Sequence, residues 1–221
     1  DFMYESGRVM SELASPGSAN WRQSALQIWE QVEQEAEKLV KILLDDPYGL
    51  LVQAHAILEQ VDIGTELDPE ERIVEAETVL GQAKELLPDH LLGYRLQARL
   101  VRTRSARGLD LDEDQKQAFL DESESLLRLG VEKHPDSFEA HENLYLDHLV
   151  PEIINEYQNY QKQRQELYQA RARSEESEIV KSMEDKLDQS RQVTQEAYKG
   201  LDNLLQGMLD QFPDEGVFYV H

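Results

Sequence analysis

The sequence predicts an all-α fold in which antiparallel helix pairs stack side by side. Three observations lead there. First, apolar residues recur at steps of three and four, and no run alternates apolar and polar in the manner of a half-buried strand. Second, two stretches repeat one pattern: Ala76, Leu80, Ala83 before Pro88, and Ser123, Leu127, Gly130 before Pro135. Each reads small, large, small, then a terminating proline. The first two spacings put all three residues on one helix face, where small side chains admit a second helix closely. Third, Pro47 and Pro213 follow similar amphipathic stretches with less regular small residues. One helical unit used repeatedly makes an elongated stack, and such stacks serve mostly as binding surfaces.

The elements follow in order. Residues 1–14 are read as a short first helix, and Ser15–Asn20 as a loop with Asn20 as N-cap. A long helix covers 21–45 and ends at Asp46-Pro47. The next pair is 48–61 and 69–87, with Asp68-Pro69 placing a cap before a proline at the first helical position. The third pair is 90–106 and 113–133. Residues 137–149 open a fourth unit, and Pro151 either kinks that helix or starts another. From Val180 a heptad seam runs through Met183, Leu187, Ser190, Thr194, Ala197, Leu201, Leu204 and Met208, weakest at its polar middle. Ile153, Ile154, Tyr157, Tyr160 and Leu167 precede it. A turn near Arg173-Ser174-Glu175 folds the two stretches into a long hairpin. In one reading this hairpin is a lengthened repeat packed on its neighbours; in the other it is a projecting arm that makes a homo-oligomer or docks a partner.

The small–large–small stripe, with Tyr94 and Ala98 after Pro88 and Asp136–Leu144 after Pro135, resembles the tetratricopeptide repeat family. That family pairs helices in units of about 34 residues. The likeness covers residues 69–149 best. The intervals are longer than the family's: Pro47 to Pro88 is 41 residues, Pro88 to Pro135 is 47, and Pro135 to Pro213 is 78. The resemblance implies a right-handed superhelix over 1–149, continued by the hairpin of 150–212. Residues 213–221 read as the start of a further repeat, so a piece of a longer protein is expected.

The resemblance also implies a concave groove lined by the first helix of each unit. Arg95, Arg99 and Arg102 share one helix face, which would point there, with Arg104 and Arg107 in the loop beyond. Asn143 falls where clamp-type relatives hold a peptide's terminal carboxylate, and Arg95 where they use a lysine. Arg99 replaces an asparagine and Glu139 a lysine, so the full clamp is absent. Guanidiniums fixed on one face bind carboxylates bidentately. The competing reading is that they pair with the chain's own acids.

Those acids are numerous: 45 against 22 basic residues, a net charge of −23. Such a field repels nucleic acid and anionic membranes. No apolar run approaches the ~18 residues that crossing a bilayer needs, so membrane insertion is not expected. No cysteine is present, which excludes disulfide and thiol chemistry but assigns no compartment; cytoplasm and periplasm both stay open. No phosphate loop, dinucleotide fingerprint, His-Glu-x-x-His or Gly-x-Ser-x-Gly occurs. The histidines, three of them seven apart at 134, 141 and 148, do not form a ligand set. The expected function is a protein-interaction scaffold with a peptide or helix as partner, neither an enzyme nor a cofactor protein. The rival is an assembly module that self-associates through the hairpin.

Overall fold

The computed structural model describes residues 19–42, 47–65, 67–107, 111–173 and 177–213. Among them every regular element is helical. The chain divides into two compact units that meet at His134/Pro135. The expected helix at 1–14 and the further repeat after Pro213 lie outside the described residues.

The first unit holds α1 (Ala19–Ile42), α2 (Pro47–Ile63), α3 (Pro69–Leu86), α4 (Leu91–Arg107) and α5 (Glu113–Lys133). Asn20 lies inside α1 rather than capping it. Pro47 is the first residue of α2, where its missing N–H costs nothing. Each helix packs on the next, and α2 also meets α4. Short connections between packed neighbours make them antiparallel pairs.

α2 is the core helix. Its apolar residues surround it, so it is buried on two sides. One side, with Leu51, Ile57, Leu58 and Val61, joins Ile73, Ala76, Leu80 and Ala83 of α3 and Leu96 and Leu100 of α4. The other carries Ala56 against Trp29 and Val32 of α1. Gly64 closes α2. Its φ of +96° is a left-handed conformation, and Thr65 N–H donates to the Gln60 carbonyl at 2.9 Å. This is a glycine-dependent helix stop.

The two copies of the sequence pattern become two copies of one structure. Ala76, Leu80, Ala83, Ser123, Leu127 and Gly130 are all buried. Each helix then ends alike. Leu87 N–H donates to the Ala83 carbonyl, and His134 N–H to that of Gly130. Leu87 (φ −134°) and His134 (φ −131°) leave the helical region, as a residue before proline must. After each proline the next helix is capped by a side chain. His90 Nδ1 accepts from Leu92 N–H at 3.2 Å, and Ser137 Oγ from Ala140 N–H at 3.3 Å. Because Nδ1 accepts, the proton of neutral His90 sits on Nε2, which reaches Tyr48 Oη at 2.9 Å. That bond joins the start of α2 to the start of α4. Elsewhere Asp68 caps α3, and Asp112 with Gln115 forms a reciprocal capping box on α5.

The second unit is two long helical arms. α6 (Phe138–Leu144) runs into one wide turn, Tyr145–Leu149, and on into α7 (Val150–Ala172). Of the two readings of Pro151, a separate helix starting there is not what forms: the helix runs on through a wide turn. Pro151 has no N–H, and its ring collides with the carbonyl four residues back in a regular helix. Widening the preceding turn, with Val150 N–H donating to the Tyr145 carbonyl, carries the helix past it. α8 (Ser177–Gln211) returns over 35 residues, roughly 50 Å. Its seam is the one the heptads predict: all nine positions from Val180 to Met208 are buried or half-buried. Thr194 does not weaken it, because its hydroxyl donates to the Ser190 carbonyl at 2.8 Å within the helix. Opposite lie Ile153, Leu167 and Ala170 of α7, buried as well. At the far end Phe212 packs edge-on against Phe138 and His141, and Gln211 Nε2 donates to the Pro135 carbonyl.

Candidate interaction surfaces

The arginines of α4 lie within the helix to its last residue, Arg107, so Arg104 and Arg107 are not in a loop. Arg99 is central. Its Nε and Nη2 donate to Asp62 Oδ2 at 3.0 and 2.7 Å, and Nη1 donates to Glu59 Oε1 at 2.6 Å. Its side chain is only 21% exposed. Two carboxylates of α2 thus face one guanidinium of α4. Thr103 Oγ1 adds a contact to Asp62 Oδ1, and His55 Nε2 lies 3.2 Å from Glu59 Oε1. The buried His55 ring also packs on Trp29, linking the cluster to α1.

The electrostatics follow from this geometry. Burial pushes the Glu59 carboxyl up, but the His55 hydrogen bond and the Arg99 charge outweigh it and hold the group down to about 2. Burial pushes His55 below its ordinary value, and Arg99 adds to that; the contact with Glu59 opposes both. Burial works against the charge of Arg99, but its two carboxylates override that and strengthen its hold on the proton. At neutral pH Glu59 is ionised against the Arg99 guanidinium, beside a neutral His55 imidazole.

The other arginines reach different neighbours. Arg102 Nη1 donates to Ser123 Oγ of α5 at 3.3 Å. Arg104 forms a two-pronged pair with Glu77 of α3. Arg107 Nη2 donates to the Val61 carbonyl at 2.7 Å, satisfying the end of α2. Arg95 also has an interaction partner in the chain. Of the two readings of this cluster, pairing with the chain's own acids is what Arg99 and Arg104 do. Asn143 belongs to the second unit and is 3% exposed, its Nδ2 without a hydrogen-bond partner. It does not line an open surface.

Two open surfaces were not singled out by sequence reasoning. A furrow in the first unit runs between α3 and α5 with α4 as its floor. Leu80, Leu100, Val101 and Leu126 line it, and a Cβ on Gly81 would meet open space. The Glu77–Arg104 pair and the Lys84–Gln97 hydrogen bond form its rim. In the second unit, α7 exposes Ile154, Tyr157 and Tyr168, about half of each accessible. Their spacing on a helix was legible, but the turn of the stripe away from the α8 seam was not.

Among the described residues no three His, Asp or Glu side chains gather as a metal site requires, and no helix is long and apolar enough to cross a membrane. His134 and His141 are engaged separately, with the carbonyls of Asp89 and Pro135. No family model, curated protein or solved structure matches the chain.

Proposed function

We propose that the chain is a tetratricopeptide-like interaction scaffold that holds a peptide or helix of a partner protein and carries out no catalysis. The observation that supports this most is structural repetition. α3 and α5 each bury the same small–large–small stripe and end in the same proline-capped joint. Repeated hairpins of this kind present long ordered surfaces at low cost in flexibility, which suits binding. The α4 face then serves in part as internal fastening. Arg99 spends three donor contacts on Glu59 and Asp62, and a partner carboxylate on this face would join Arg95 and Arg102 in addition to the partners both already have within the chain.

Partner capture on the immobilised chain, compared with an Arg95→Glu/Arg102→Glu variant of equal helicity, tests the reading. A partner lost with the variant supports the α4 face. A partner held equally moves the contact elsewhere on the scaffold. Absence of any saturable protein ligand would refute the scaffold reading itself.

The assembly reading has one observation in its favour. The α8 seam is filled within one chain, yet Ile179, Val193 and Tyr198 remain exposed outside it. Sedimentation of Val193→Glu/Tyr198→Glu tests it: self-association through this face would be lost in the variant.

A further inference from the structure

The chain has two stretches rich in basic residues, and the structure treats them differently. On α4 the guanidiniums reach α2, α3 and α5. On α7, Lys162 and Arg164 do not. Arg164 lies over the ring of Tyr168 on its own helix, 5.6 Å from the centroid, and no described carboxylate pairs with either cation. Ile154, Tyr157, Gln161, Arg164 and Tyr168 follow at steps of three, four, three and four. They form one stripe along about 21 Å of helix. It is displaced from the seam that Ile153, Leu167 and Ala170 bury. A shallow depression runs along it from Tyr157 to Tyr168. No carboxylate lies on the stripe, and between Glu156 and Glu166 none occurs at all.

Tyrosine and arginine are the side chains that most often dominate binding energy. Here they sit exposed, partly ordered by stacking on each other, in a 3–4 spacing that suits a second helix. Charge selects among occupants. A second copy of the chain laid on this stripe would set Arg164 against Arg164 if parallel and against Gln158 if antiparallel about Gln161, so in neither direction does it bring a carboxylate to Arg164. A nucleic acid would bring dense phosphate against a molecule of net charge −23. A partner helix with a few carboxylates beside an apolar stripe meets neither objection. Its local ion pairs lie within the ~8 Å over which charges act at physiological salt, and the distant acids are screened.

We propose that the Ile154–Tyr168 stripe of α7 docks an amphipathic helix of a partner protein, with apolar residues of that helix against Tyr157 and Tyr168 and its carboxylates on Arg164 and Lys162. The proposal rests on the scaffold reading and places a contact on α7 in addition to the α4 face.

The test is a display library of 20-residue helical peptides with fixed apolar 3–4 spacing and randomised flanks, selected on the full chain. Affinities of the selected peptides are then measured by fluorescence anisotropy. Enrichment of Glu and Asp at the flanks is expected. Arg164→Glu and Tyr157→Ala/Tyr168→Ala should each weaken binding on the order of tenfold, with helicity and melting temperature unchanged because the residues are exposed. Affinity should also fall between 50 and 300 mM salt. Enrichment of Lys and Arg, binding insensitive to the α7 variants, or no selected peptide would each overturn the proposal. So would α7-dependent binding of a fluorescent oligothymidine. Partner capture lost only on Arg95→Glu/Arg102→Glu would leave the scaffold reading intact while removing docking from α7.

Discussion

Arg72 and Glu33 lie 39 positions apart and grip each other twice. Nη1 donates to Oε1 at 3.0 Å and Nη2 to Oε2 at 2.6 Å, tying α3 to α1. Their side chains are 9% and 12% exposed. Gln60 of α2 completes the joint, donating to Glu33 Oε2 and accepting from Arg72 Nη2. Removing one partner leaves a buried charge behind, so Glu33→Ala should cost about 3 kcal/mol in urea unfolding. Replacing both with leucine should recover most of that. A loss below about 1 kcal/mol for Glu33→Ala would show that Glu75 and water already compensate.

The His55–Glu59–Arg99 cluster makes stability fall with acid. His55 is held below 6.5 in the folded chain, mainly by burial. As pH drops through 6.5, the unfolded state takes up a proton that the folded state refuses, so folding weakens. Glu59 is held at about 2 against 4.5 when unperturbed. Its contribution is complete above 4.5 and is lost as pH falls towards 2. Melting temperature should therefore decline below pH 6.5 and again, more steeply, below 4.5. His55→Gln should flatten the first decline and keep most of the second, because Arg99 still lowers Glu59 and the glutamine amide can donate in place of the imidazole. An unchanged slope in His55→Gln would remove the imidazole from the account.

Tyr94 reports on the α3–α4 joint. Its hydroxyl donates to Asp89 Oδ1 at 2.8 Å from an otherwise buried ring. Burial and that carboxylate push the phenol up to about 12. Its phenol should stay protonated in the folded chain at pH 11. Its contribution to stability is complete below pH 10 and disappears as pH rises towards 12. Ultraviolet titration of Tyr94→Phe should lack a phenolate step near pH 12 that the native chain shows. Finding that step intact would assign it to another tyrosine.

The sequence made some of this visible for a physical reason. Small–large–small stripes and the α8 seam are local spacings, and burial by the neighbouring helix satisfies them directly. The π turn before Pro151 was not visible, because a helix can break, kink or widen at proline, and only the packing of both arms decides which. The fate of Arg99 depends on residues 37 and 40 positions away. A signal did exist: Glu59 and Asp62 are the only carboxylates of α2. Charges three apart on an apolar core helix require a buried partner. Asn143 was placed by analogy with a repeat position, and in the structure its side chain is buried.

The glycines of the first unit separate close packing from mere helix weakening. A Cβ at Gly49 would lie 2.9 Å from Val40 Cγ2, with the Ala36 carbonyl at 3.5 Å. Valine is fixed about χ1 in a helix, so it cannot swing aside cheaply. Gly49→Ala should therefore destabilise by about 1–3 kcal/mol, as overpacking does. At Gly81 the same methyl meets open space, and α3 gains helix propensity, so Gly81→Ala should stabilise by about 0.5–1 kcal/mol. Gly130 lies between. Its Cβ would sit 3.5 Å from Leu91 Cδ1 and Tyr94 Cβ, ordinary contact, so alanine there should be tolerated. Unfolding midpoints of the three variants should rank Gly81→Ala above Gly130→Ala above Gly49→Ala. If Gly49→Ala proved the most stable, the close approach of α1 to α2 would have to be looser than the distances state.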